Sequence, residues 1–189
     1  MQRADHDLAF MLQYENIAWY EDGKVKILDR RIYPARIEFV ICHTHQEVAQ
    51  AITDMVTQSA GPYTAVPMGM ALAAHECRDK TAAEQMEYLR KAAHTISHAR
   101  PTTVKRMALL CDLCLAEAER ALAAGEDTAQ AIVNKTVELN NTRYERVAKI
   151  GKYLVDLFPE NGTVMTHCFA ETIVGMMLRE CSERGKHIR

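Results

Sequence analysis

The sequence lacks an excess of either charge. Its 23 basic residues face 25 acidic ones, a formal net charge of -2, so no global field draws the chain to nucleic acid or to an anionic membrane surface. Neither kind of partner is expected, and an anionic ligand must be held by a local cluster. The chain also lacks any run approaching the roughly 18 uninterrupted apolar residues of a membrane span. Its first residues, Met1-Gln2-Arg3-Ala4-Asp5-His6-Asp7, lack the apolar stretch of a signal peptide, and the expectation is a cytoplasmic protein. No internal repeat and no low-complexity segment is found, which excludes solenoids. What is present is 189 residues, 48% hydrophobic and 25% charged, an ordinary globular composition long enough for one sizeable domain or one domain plus part of another. Six cysteines, Cys42, Cys77, Cys111, Cys114, Cys168 and Cys181, are scattered along it. In a reducing compartment they read as buried thiols, and no disulfide is expected.

The first 45 residues read as a small antiparallel sheet. Two runs, residues 16–20 and 24–28, flank Glu21-Asp22-Gly23, and Asp-Gly between extended runs signals a hairpin. A third run, residues 36–42, alternates charged and apolar residues and then becomes wholly apolar, which suggests three strands covered on one face. Beyond His45 the apolar spacing changes to three and four, with Thr44 as N-cap, and predicts a helix over 46–56. Ser59-Ala60-Gly61-Pro62 breaks it, and an Ala-rich helix is predicted over 68–75. Four more helices are predicted over 82–97, 102–124, 128–157 with a break inside it, and 170–184. Residues 46–158 therefore read as one helical bundle.

Residues 163–168, a short apolar run after Asn161-Gly162, read as a strand leading into the last helix as its crossover. A parallel partner would begin near residue 186, where the sequence given ends, so one such unit is not expected to make a sheet. The fold class is α+β and mostly α: a sheet over 1–45, a bundle over 46–158, and over 159–189 the opening of a truncated Rossmann-like α/β domain.

Candidate chemistry sits at few places. Cys168 lies at the carboxyl end of the predicted strand and just before a helix N-terminus, the edge where α/β sheets bind ligands and where a thiolate is favoured; position alone still favours a packed thiol. Arg100, in Ala99-Arg100-Pro101-Thr102, precedes a helix with Pro at its first turn, so guanidinium and helix amides together suit a phosphate; a loop arginine is more often simply solvated. Ser59, Ala60 and Gly61 form a similar anion nest without a basic residue. Cys111 and Cys114 have redox or zinc spacing but no matching second pair, and read as core. Cys42-His43-Thr44-His45 and His75-Glu76-Cys77 match no metal motif with a mechanism and read as a strand end and a helix surface.

Taken in order, Ile27-Leu28-Asp29-Arg30-Arg31-Ile32-Tyr33-Pro34, the helix from Glu47, Gly61-Pro62, Gly69-Met70-Ala71-Leu72-Ala73-Ala74, Arg100-Pro101-Thr102 and Asn161-Gly162-Thr163-Val164-Met165-Thr166-His167-Cys168 resemble the S-methyl-5-thioribose-1-phosphate isomerase family. That fold family also includes ribose-1,5-bisphosphate isomerases and the non-catalytic regulatory subunits of translation initiation factor 2B. The resemblance covers nearly the whole chain. It implies an N-terminal sheet and bundle followed by a Rossmann-like domain, a cytoplasmic homodimer when full length, a sugar-phosphate substrate, and no metal or organic cofactor. It gives Cys168 a catalytic role and Arg100 a phosphate-binding one. Gln58-Ser59-Ala60-Gly61-Pro62 stands where the family carries an Arg-Gly-Ala-Pro phosphate loop. The family's catalytic aspartate would lie after Arg189.

Overall fold

Asp22 (φ 47) and Gly23 (φ 73) both adopt left-handed backbone, which a type I′ turn requires. They join β1 (Ala18–Glu21) to β2 (Lys24–Leu28), with Glu21 opposite Lys24. β3 (Phe39–Cys42) pairs antiparallel with β2, giving the order β1-β2-β3. The first strand starts two residues later than expected because a one-turn helix, α1 (Tyr14–Ile17), buries Tyr14 there. The third starts three residues later because the chain is still turning: Arg36 N–H donates to Ile32 O at 3.1 Å, and the ladder is entered through Asp29 N–H to Glu38 O at 2.9 Å. The computed structural model describes residues 3–167 and 169–189.

α2 (His45–Thr53) begins at Thr44, whose hydroxyl accepts from Glu47 N–H at 3.2 Å. It ends earlier than the apolar spacing predicts because Met55 turns left-handed (φ 59) and Val56 N–H closes back on Ala51 O at 3.0 Å, a C-cap made without glycine. α3 (Pro62–Glu76) starts six residues earlier than expected and carries Pro67 inside it. The hydrogen bond lost at Pro67 is outweighed by packing, since twelve of its fifteen residues are buried. α4 (Ala82–Ser97) is set by a capping box between Thr81 and Glu84. A short 3-10 turn (Pro101–Thr103) leads into α5 (Val104–Ala124), which Gly125 (φ 68) terminates. α6 (Thr128–Val155) is continuous, without the predicted break: it contains no proline, and its Gly151 lies on a face where a Cβ would meet Met176 at 3.4 Å.

The chain forms two compact units, residues 14–138 and residues 1–13 with 139–189. In the first unit α3 is the core helix, its Met68, Met70 and Leu72 fully buried with Val48, Ile52, Leu89, Ile96, Met107 and Ile132. In the second, Tyr144 donates to Leu12 O at 2.7 Å and Ala4 N–H to Asn141 Oδ1 at 3.0 Å, tying the first residues to α6. α7 (Glu171–Glu183) packs Met177 and Cys181 with Val155. It connects β4 (Asn161–Gly162) to β5 (His187–Ile188), which pair in parallel. The strand lies earlier than the 163–168 predicted, and one strand-helix unit does form a two-stranded parallel sheet. Pairing reaches no further than Val164 N–H to Arg189 O at 3.0 Å. Met165 (94%), Leu157 (81%) and Leu178 (56%) are exposed, whereas Met176 and Met177 of the last helix are buried. Among the described residues no helix is long and apolar enough to cross a membrane.

Candidate functional site

Arg100 is half-buried in extended backbone (φ -141) as the N-cap of the 3-10 turn, where Thr103 N–H donates to its carbonyl at 3.1 Å. The loop is fixed from the other side, because Thr53 Oγ1, at the end of α2, donates to Ala99 O at 2.9 Å. From that same end the chain runs through the second predicted anion element. Ser59 is left-handed (φ 53) and exposed, Ala60 is half-buried, and Gly61 N–H donates to Gln58 O at 2.8 Å. Only glycine fits at 61, since a Cβ there would fall 1.9 Å from Thr57 Oγ1. α3 starts after Gly61 without a side-chain cap; Pro62 has no N–H, and the next amides are engaged, Tyr63 N–H donating to Ala60 O and Thr64 N–H to Gly61 O, each at 3.0 Å.

The first turns of α3 and α5 meet through Arg106, whose guanidinium lies 5.5 Å from the Tyr63 ring centroid. Residues 55–75 and 98–111 contain no Asp or Glu, and among the described residues no carboxylate pairs with Arg100, Lys105 or Arg106. The neighbouring carboxylates are engaged elsewhere. Asp29 takes a two-point contact from Arg31 at 2.8 and 2.7 Å, which holds its carboxyl below the usual carboxylate range, and Asp54 accepts from the Gln50 amide at 2.7 Å. Arg106 thus stands beside the start of α3 in an acid-free stretch, with no carboxylate of the described residues paired to it, a setting suited to an oxyanion.

The segments around His45 and Glu76, which match no metal motif, meet in the structure. His45 Nδ1 lies 2.5 Å from Glu76 Oε2, His45 N–H donates to Glu76 Oε1 at 2.8 Å, and Tyr88 OH donates to Glu76 Oε2 at 2.9 Å. The His45 and Tyr88 rings stand edge to face at 5.5 Å. This buried knot pins the start of α2 to the end of α3 and to α4, and no local signal spans the 31 residues between its first two members. Burial alone would raise the Glu76 carboxyl, but the hydrogen bonds from His45 and Tyr88 prevail and hold it below its ordinary value. A depressed carboxylate stabilises the fold above its unfolded pKa and loses that contribution as pH falls through the folded one. Glu76→Gln should therefore lower stability at neutral pH by about 2 kcal/mol and flatten the acid limb of the stability curve below about pH 4.3, measured by urea unfolding across pH. An unchanged acid limb would show the knot to be energetically idle.

Cys111 and Cys114 are buried in the bundle. Burial pushes the Cys111 thiol up to about 12 and the Cys114 thiol higher still, and Cys111 Sγ faces Ala93 O at 3.6 Å. Cys42, Cys77 and Cys181 are likewise buried and free. Cys168 lies outside the described residues.

The profile of the Initiation factor 2 subunit family matches residues 61–189. A putative methylthioribose-1-phosphate isomerase from Archaeoglobus fulgidus is 28% identical over 90% of this chain and 52% of its own length. A methylthioribose-1-phosphate isomerase from Carboxydothermus hydrogenoformans is 30% identical over 80% of this chain and 44% of its own. Among solved structures, translation initiation factor eIF-2B, subunit delta, from A. fulgidus superposes with a TM-score of 0.72 at 25% identity, covering 92% of this chain and 53% of that one. The chain spans about half the length of the curated relatives it matches. With more than half of its own residues inside the profile, the chain belongs to the Initiation factor 2 subunit family.

Proposed function

We propose that this chain supplies the phosphate-binding half of an aldose-ketose isomerase acting on a sugar 1-phosphate, with S-methyl-5-thioribose 1-phosphate as the substrate. The carrying observation is the acid-free stretch around Arg100, Lys105 and Arg106, where no carboxylate of the described residues pairs with these cations and Arg106 stands against Tyr63 at the start of α3. The curated relatives bearing the isomerase name support the substrate class. A phosphate on C1 blocks simple opening of the sugar ring. The reaction therefore needs an acid to protonate the ring oxygen as its bond to C1 breaks, and a group near C1 and C2 to move the hydrogen. Cys168, in the segment Gly162-Thr163-Val164-Met165-Thr166-His167-Cys168, takes the place near carbon. The acid is an aspartate from the second half of the family fold, a Rossmann-like domain that residues 159–189 would open. The working form is a homodimer.

The match to the initiation-factor subunit and the uncharged Gln58 favour a second reading, a non-catalytic module that binds a phosphorylated metabolite. Both readings place phosphate at Arg100; turnover separates them. In a protein carrying both halves, Arg100→Ala should lower kcat/KM by roughly 10- to 1000-fold, since a charge-assisted phosphate contact contributes a few kcal/mol. Its melting temperature should stay that of the parent. Steady-state kinetics with an unaltered kcat/KM would reduce Arg100 to a loop residue.

A further inference from the structure

Arg106 has no role in the reading above, yet its placement is specific. It is exposed, its guanidinium is held against the Tyr63 ring at 5.5 Å, and no carboxylate of the described residues pairs with it. Tyr63 directly follows Gly61-Pro62, so the contact fixes a cation beside the turn at residues 58–61, which has no charge of its own. A guanidinium held by a ring instead of a carboxylate keeps its in-plane N–H donors available for an oxyanion. The arrangement is also rigid at both ends. Tyr63 sits in the first turn of the buried α3, and Arg106 in the first turn of α5 next to the fully buried Met107. A surface arginine with no further task is ordinarily paired or trailing in solvent, as Arg120 is paired here with Glu117 and Glu126.

We infer that Arg106 is the second cation of the phosphate subsite, supplying from α5 the charge that the turn at residues 58–61 lacks. The inference rests on the reading of Arg100 as a phosphate anchor. It makes the subsite a two-arginine clamp, one guanidinium from the loop before α5 and one from its first turn, with Tyr63 orienting the second. A phosphate monoester dianion, carrying close to two negative charges at neutral pH, is the ligand that such a pair matches. Tyr63 is then a positioning residue: its ring sets where the Arg106 donors point, and a substitution there acts through Arg106.

The test is titration of residues 1–189 with inorganic phosphate, followed by NMR or calorimetry, for the parent chain and for Arg106→Ala, Arg106→Lys, Tyr63→Leu and Arg100→Ala. The expected result is a Kd about 10-fold higher for Arg106→Ala, partial recovery for Arg106→Lys, which keeps the charge but loses the planar fork, and a smaller loss for Tyr63→Leu that disappears in the Arg106→Ala background. Circular dichroism of Arg106→Ala should match the parent, because the side chain is exposed. If Arg106→Ala binds phosphate as the parent does while Arg100→Ala binds it more weakly, the clamp is wrong and the Arg100 reading stands. If neither substitution weakens binding, or the parent binds no phosphate, both fall.

Discussion

Cys168→Ser, made in a protein that carries both halves of the family fold, is expected to abolish turnover of S-methyl-5-thioribose 1-phosphate, a loss of at least about 1000-fold in kcat. The two side chains differ by one atom, but a thiol ionises near neutral pH and a hydroxyl does not. A group that must exchange hydrogen at carbon therefore loses its chemistry while keeping its volume. Binding should be spared: the KM or Kd for substrate should move by less than the Arg100→Ala change, because phosphate is held elsewhere. The pairing of a lost kcat with a retained Kd separates a reacting group from a packed thiol, for which Ser would alter stability and little else. Turnover within a few-fold of the parent would remove Cys168 from the reaction.

The second large effect is on stability. Gly69 lies in the middle of α3, where a Cβ would come 2.9 Å from Val48 Cγ1 and 3.1 Å from Ile96 Cδ1. The closest approach of α3 to α2 and α4 is thus built around the absence of a side chain. The short side chain of Val48 is stiff and cannot swing aside, and Ile96 is fully buried. Gly69→Ala sets a helix-propensity gain of about 1 kcal/mol against this crowding and should come out near neutral or destabilising. Gly69→Leu adds three further carbons to a site with no room for the first, and should cost more than about 3 kcal/mol or prevent the bundle from folding. Urea unfolding followed by circular dichroism reads both. A Leu variant as stable as the parent would show that α3 can shift outward, and that the close packing does not hold the bundle together.

How much of this was legible in the sequence depended on whether the deciding interaction was local. α4 and β2 fall on the predicted residues because the Thr81 and Glu84 capping box and the Asp22-Gly23 turn act within a few residues. α3 runs six residues further toward the N-terminus than its local pattern predicts, because Pro67 is a helix breaker by local rules and burial on all sides overrides it. α2 ends before its apolar spacing does because its cap uses Met55 in a left-handed conformation, which no residue type announces. Residues 3–13 carry no sign that Leu12 and Ala4 will be held by Tyr144 and Asn141, more than 130 positions away. The same divide runs through the candidate site. Arg100 and Gly61 could each be singled out from their neighbours in sequence, Pro101 and Pro62. That the end of α2 holds the Arg100 loop, through the Thr53 bond to Ala99, required the fold. Arg106 was invisible for the same reason, since a stacked arginine looks in sequence like any other on a helix surface. His45 and Glu76 lie in separate segments that match no metal motif, while their contact is what pins α2 to α3.

The central claim is that residues 1–189 hold the phosphate of a sugar 1-phosphate and need the second half of the family fold to isomerise it. The measurement is binding and turnover of S-methyl-5-thioribose 1-phosphate by residues 1–189 alone and by a chain extended with that second half. The expected result is binding by 1–189 that Arg100→Ala weakens, no turnover by 1–189, and turnover by the extended chain. Robust turnover by 1–189 alone, or an extended chain that binds the substrate and leaves it unchanged, would contradict the account.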